Sequence, residues 1–342
     1  MANGDKTAPR ITFLYQMTPK TRRKLNEIIA GYAFILPNIV GFLIFTSLPV
    51  LASFILSFVD WDLLTPPKFV GISNFINLLG FTTIPDTVHH WWDYILFWQV
   101  MEPKDPYFWK YLGNTIFLML NIPIVMAGSL FLAIVLNQKI KGMVIFRTIY
   151  FLPTITTGVA TYLLWRWLFN TDFGLINDCI TKFGRLFGLR IFGPDWLSST
   201  AWVKPALMLM FFWGGIGGVN MILYLAGLQN VPSHLYEAAD IDGASGWQKF
   251  WHITWPMLSP TTFFIFTMSL IGGFQGGFDA AYIMTNGGPA GASTTLSYYI
   301  YNNAFVWFKM GKAATIAWVL FFLVFIVTLL NWKYGGRKVQ YF

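Results

Sequence analysis

The chain has 342 residues, of which 56% are hydrophobic, 19% aromatic and only 11% charged. That balance excludes an ordinary soluble domain, and several windows of about 20 mostly apolar residues have the length a membrane-spanning helix needs. A formal net charge of +8 would suit nucleic acid, but the basic residues sit beside apolar segments, where they set orientation in a membrane.

Residues 1–27 are polar and basic, with Lys6, Arg10, Lys20, Arg22, Arg23 and Lys24. They precede a transmembrane domain over residues 28–342. Its first apolar run, about 30–59, is too long for a signal-peptide core and no small-residue cleavage site follows it, so it reads as an uncleaved first span. Pro37 and Pro49 interrupt this run; spanning helices tolerate proline when neighbours satisfy the freed carbonyls. Residues 60–110 are too broken to span. They hold Trp61, Trp91, Trp92, Trp98 and Trp109, side chains that favour the headgroup zone. His89 and His90 in this stretch read as solvated.

Further spans are expected at about 111–137, 144–169, 202–227, 257–284 and 313–332. The sequence thus predicts an all-α integral membrane protein with six transmembrane helices and a large first outer loop. The lone cysteine, Cys179, falls between the third and fourth spans. It allows no disulfide and no multi-cysteine metal site, and reads as a small buried or half-exposed side chain. With the N-terminus in the cytoplasm, the inner connections 1–27, 138–147, 228–256 and 333–342 carry thirteen basic residues. The outer connections, longer in total, carry eight. This bias places both termini inside.

A polar insert, residues 228–256, separates the fourth span from the fifth. It contains "YEAADIDGASGWQKFWHITWP", with Glu237, Asp240 and Asp242. Ser233 after Pro232 is expected to cap a helix through 234–242, and Gly243 suits the left-handed residue that ends one. Ser245 and Gln248 form a capping-box pattern for a second short helix, with Trp247, Phe250 and Trp251 on one face. Pro256 and Pro260 stand at the start of the next span, where proline does least harm. By patterning alone, this could be an amphipathic loop packed on headgroups.

Two spans carry polar groups suited to a ligand. The fourth reads "FWGGIGGVNMILY", with Trp213, Asn220 and Tyr224; the fifth reads "GGFQGGFDAAY", with Gln275, Gly277, Asp279 and Tyr282. A polar-ligand site within a membrane needs such hydrogen-bonding groups and aromatic faces. Gly214, Gly215, Gly217 and Gly218 equally serve close helix packing. Asp279, ionisable within a span, is a functional candidate by default. No Gly-x-x-x-x-Gly-Lys-Ser/Thr loop is present, so ATP phosphates have no such cradle here. No metal-ligand cluster and no Ser/His/Asp arrangement stands out. A lone intramembrane acid without a paired base speaks against a membrane-embedded enzyme. The absence of inverted repeats and of a coupling-ion site speaks against a self-sufficient secondary transporter.

The insert closely resembles the EAA motif of ABC-importer permeases. Its elements are Glu237-Ala238-Ala239, Asp242-Gly243-Ala244, Phe250, Ile253 and Pro256, with Trp255 where leucine is usual. "FRTIYFLPTITTGVATYLLWRWLFN" and "TNGGPAGASTTLSYYIYNNAF" are similar to the third span and the loop before the last helix of the carbohydrate branch, of maltose and glycerol-3-phosphate type. The stretch from about 81 to 106 departs from the short loop usual there. The resemblance implies a permease subunit in a bacterial or archaeal inner membrane, importing a di- or oligosaccharide or, alternatively, glycerol-3-phosphate or another polar solute. It implies that the insert is a coupling helix seated in a separate ATPase, with Glu237, Ala238, Ala239, Asp240, Asp242, Gly243, Ala244 and Phe250 at that contact. Trp213, Asn220, Tyr224, Gln275, Gly277 and Asp279 become candidates for the substrate path. Phe274 and Gly277 stand where family pockets often have asparagine. The implied partners are a second permease, two ATPase subunits that hold ATP and magnesium, and an extracellular sugar-binding protein. No cofactor, metal or nucleic acid is expected on this chain.

Overall fold

The computed structural model describes residues 19–83, 101–138, 141–156 and 158–336. Lys6, Arg10, His89, His90, Trp91, Trp92 and Trp98 lie outside them. The chain divides into two compact units, residues 1–55 and 56–342.

In the first unit, α1 (Pro19–Phe42) runs through a π-helical turn (Leu43–Ser47) into α2 (Leu48–Leu56). The 37 residues from Lys20 have a mean hydropathy of 2.4 in their most apolar window, none of it buried. A helix apolar all round, with no core of its own, is built for lipid.

The second unit opens with a short ribbon, β1 (Val59–Asp60) on β2 (Lys68–Phe69), then α3 (Ser73–Leu79). A second ribbon pairs β3 (Phe81–Thr83) with β4 (Met101–Pro103) and so joins the ends of the unusual 81–106 stretch. Next come α4 (Pro106–Met119), α5 (Asn121–Leu136), α6 (Met143–Ile155), α7 (Val159–Leu168) and α8 (Leu175–Leu186). Then follow α9 (Val203–Ile216), α10 (Val219–Gln229) and, beyond the insert, α14 (Ser259–Gln275) and α16 (Met310–Gly335). Between these lie α11 (Ser233–Ile241), α12 (Gly246–Lys249), α13 (Trp255–Met257) and α15 (Leu296–Tyr301). Apart from the two ribbons the regular elements among the described residues are helices: the chain is an all-α membrane protein. Among the described residues four stretches are long and apolar enough to cross a bilayer, and two bent pairs make six if each is one span.

Polar side chains fix how these helices pack. Asn121 Nδ2 on α5 donates to Met208 O on α9 (3.0 Å), and Ser129 Oγ donates to Gly215 O (3.3 Å). Between α9 and α10 a Cβ on Gly217 would fall 2.2 Å from Tyr150 O, so glycine admits α6 at that point. Cys179 is exposed on α8, a correction to the expected buried or half-exposed side chain. It lies two residues, more than half a helical turn, from the buried Asn177.

At the end of the helices away from the insert, buried polar groups form a clasp. Asp105 is 6% exposed and starts α4 by accepting from Phe108 N at 3.1 Å, with Pro106 at the first helical position. Lys312 Nζ of α16 reaches its Oδ2 at 2.8 Å, and Tyr299 OH donates to the same oxygen at 3.0 Å. Tyr299 belongs to α15 (Leu296–Tyr301). Burial pushes its phenol above the ordinary range, with Lys312 acting against that. Asn114 Nδ2 donates to Gly291 O and to Thr294 O, both at 2.9 Å, and pins the loop before α15.

Candidate functional site

The insert folds as two short arms around a glycine corner. α11 (Ser233–Ile241) is the first arm. The second comprises α12 (Gly246–Lys249), a π-helical turn (Phe250–Thr254) and α13 (Trp255–Met257). Ser233 does not cap α11. Pro232 takes that position at φ −61°, ψ 128°, without a side-chain cap bond, and Leu235 N donates to its carbonyl at 3.2 Å. Proline already holds the φ this position needs, so the helix starts one residue before the serine signal indicates. Gly243 is left-handed at φ +74°. Around it Gly243 N donates to Asp240 O (3.1 Å) and Ala244 N to Ala239 O (2.9 Å), closing the first arm. The capping box expected at Ser245 and Gln248 is present, with Ser245 N donating to Gln248 Oε1 at 2.7 Å. Tyr236 OH and Thr254 Oγ1, 2.8 Å apart, and an ion pair of Lys249 with Asp240 tie the arms together.

The second arm has two faces. Trp247, Phe250, Trp251 and Trp255 form a contiguous aromatic group with ring centroids 5.3–6.3 Å apart. Opposite lies an open hollow of about 290 Å³ lined by Ala239, Asp242, Gly243, Ala244, Gln248 and Lys249, with His252 and Ile253. Glu237, Ala238, Asp240, Asp242 and Gly243 are exposed, and Ile241 is 87% exposed. Nothing lies within 4 Å of where a Gly243 Cβ would stand. Backbone conformation, not crowding within this chain, is what calls for glycine.

The path candidates separate. Trp213 is exposed on α9, Asn220 is half-buried near the start of α10, and Tyr224 is 1% exposed in the core with Met221 and Leu258. The fifth span breaks after Gln275. Gly276 is extended, Gly277 has φ +80°, and helix resumes at Phe278 and runs on as a π-helical segment, Ala280–Thr285. Gln275 and Asp279, both exposed, flank the break. Asp279 makes no side-chain cap bond. Gly277 lines a pocket of about 200 Å³ between α4, α5, α9 and α14, with Thr115, Asn121, Ser269, Gly273 and Thr295. The other five candidates do not line that pocket. Among the described residues no group of three or more His, Cys, Asp or Glu could hold a metal ion.

The family described as "Binding-protein-dependent transport system inner membrane component" matches residues 106–333. The chain belongs to this family. The "Probable ABC transporter permease protein YesP" of Bacillus subtilis (strain 168) is 36% identical over 326 residues, covering 94% of this chain and 95% of the relative. The "Lactose transport system permease protein LacF" of Rhizobium radiobacter is 34% identical, with 94% and 98% covered. Among solved structures, a bacterial ABC transporter involved in import of the acidic polysaccharide alginate superposes with a TM-score of 0.74 at 21% identity. That match covers 94% of this chain and 100% of the other, a likeness of fold.

Sequence reading of this permease passed over Thr115, Asn121 and Ser269. Each is a small polar residue within a largely apolar run, and each reaches the pocket from a different helix, so no local pattern connects them. The signal available was their polarity within spans, the same signal that singled out Gln275 and Asp279.

Proposed function

We propose that this permease, with a second permease subunit, forms the translocation path of an ATP-driven ABC importer for a di- or oligosaccharide. An extracellular binding protein delivers the solute, and two ATPase subunits hold ATP and magnesium; this chain holds no cofactor. The observation that carries the reading is the insert, a two-armed unit tied by the Tyr236–Thr254 and Lys249–Asp240 contacts, whose acids and glycine corner are exposed around an open hollow. Such a surface suits a protein partner, with Glu237 paired to a basic group and Gly243 at the closest approach. The basic bias of the connections supports a cytoplasmic position for this insert and both termini. Sugar as cargo is supported by relatives such as the lactose permease and the "Arabinooligosaccharides transport system permease protein AraP", 33% identical over 311 residues. A glycerol-3-phosphate reading has narrower support, from UgpA of Agrobacterium fabrum at 29% over 232 residues. On this reading Gln275 and Asp279, beside the break in the fifth span, contact the solute as it passes.

The test is a Glu237→Lys, Gly243→Asp double mutant. Losing one side of a desolvated charge pair costs roughly 2–5 kcal/mol at an interface, and a side chain at the left-handed corner about 1–2 kcal/mol more. The mutant inserts normally but retains the ATPase poorly, or hydrolyses ATP without sugar uptake. Wild-type uptake with full ATPase retention would sink the proposal.

A further inference from the structure

A groove of about 920 Å³ lies between α5, α14, α16 and the second arm of the insert. Met126, Leu130, Phe131, Phe263 and Phe266 form its walls, and Trp247, Phe250 and Trp255 border it where the insert meets the helices. Its polar lining is sparse, chiefly Asn331 and the hydroxyls of Tyr224, Ser259 and Thr262. Nothing in this composition grips a sugar or a charged peptide; it matches hydrocarbon.

Its dimensions match as well. Along α5 the lining runs from Pro123 to Ile134, roughly 16 Å at about 1.5 Å per residue. Half of an approximately 30 Å hydrocarbon core is about the same depth. The groove therefore spans one leaflet. At its border stand Trp247, 70% exposed, and Trp255, 38% exposed, side chains that sit at headgroup level. The connections leaving two of its walls are basic. Among the described residues, Lys141 stands exposed on the connection after α5 and Lys333 stands exposed near the end of α16, and neither 137–147 nor 331–342 contains Asp or Glu. Basic residues just beyond a span attract anionic lipid.

We propose that this groove holds an acyl chain of an anionic phospholipid from the leaflet on the insert side, with its headgroup at the level of the tryptophans, Lys141 and Lys333. The leaflet is the inner one if the orientation proposed above holds. Because Gly246, Trp247 and Phe250 form part of the lining, the lipid supports the arm that meets the ATPase, and its loss uncouples hydrolysis from uptake.

The experiment uses the complete transporter purified from membranes containing phosphatidylglycerol, washed in detergent, with bound lipid measured by mass spectrometry. Wild type retains phosphatidylglycerol in preference to phosphatidylcholine. Ala127→Trp, which fills the groove, displaces at least two chain methylenes and lowers retention by about tenfold or more. A photoreactive residue at Phe131, in an otherwise wild-type complex, gives a second reading: it crosslinks to phospholipid. Equal retention by wild type and Ala127→Trp overturns the proposal, as does a crosslink from position 131 to the second permease polypeptide. Neither readout requires the ATPase. A wild-type chain that keeps its lipid but never captures an ATPase refutes the coupling function and leaves the lipid site standing.

Discussion

The two ends of the helical unit treat charge in opposite ways. At the end away from the insert, Asp105 is buried and satisfied within the chain by Lys312, Tyr299 and the start of α4. In the insert, Glu237 and Asp242 are exposed and join no ion pair among the described residues, and only Asp240 is paired. A buried charge holds the chain to itself, because removing one partner leaves the other desolvated. An exposed charge contributes little to stability, so its presence on an otherwise greasy chain points to use outside the chain.

The largest effect is expected where that comparison is sharpest. Asp105→Ala removes the ion pair, the Tyr299 bond and the helix cap together, at about 3–5 kcal/mol at most. Lys312 is 36% exposed, which trims the figure. The variant unfolds at clearly lower temperature in detergent, whereas Glu237→Ala keeps the wild-type melting curve. Equal melting of the two variants would erase the distinction. Asn114→Leu leaves the Gly291 and Thr294 carbonyls without their donor, a loss of about 1–3 kcal/mol. It should loosen the loop before α15, read as faster protease cleavage there with uptake only partly reduced. Gln275→Ala and Asp279→Ala probe the middle of the molecule. If they contact solute, each lowers transport by a similar about 1–3 kcal/mol while melting is unchanged; normal uptake across a panel of sugars in both removes them from the path. Ser245→Ala costs about 1 kcal/mol of local helix stability. It weakens ATPase retention slightly and leaves global melting alone, and a shift in the whole-chain transition would show that the insert is part of the core.

Much of this was readable from composition and local pattern. Apolar runs mark the helices because each needs only its own residues to satisfy its backbone in lipid. The corner at Gly243 and the capping box at Ser245 and Gln248 are local signals, and both formed as the spacing indicates. The cap assigned to Ser233 did not form, because Pro232 competes for the same position with a fixed φ. The clasp was out of reach. Tyr299 and Asp105 are 194 residues apart, and nothing near either one names the other. The break in the fifth span left a trace in the paired glycines at 276 and 277, but paired glycines also serve close packing, as they do at Gly217. The pocket beside that break is assembled from several helices, and its members are distributed through runs that look uniformly apolar.

The second arm of the insert passes into the fifth span through Leu258 with hardly any slack. The two helical stretches, Gly246–Met257 and Ser259–Thr285, meet at 64°. Mechanically this is a crank with a single elbow. A thrust along the short arm arrives at the long arm more as sideways swing than as axial travel. The fulcrum is well seated, since Leu258 is fully buried and Thr254 nearly so. The long arm carries its own joint at Gly276 and Gly277, so the swing need not reach the far end of the span undiminished. On the function proposed above, the stroke of the insert and the width of the opening it drives would be set by one angle and one hinge. Stiffening that hinge, rather than altering any group that touches solute, is the direct way to change how far the opening moves per stroke.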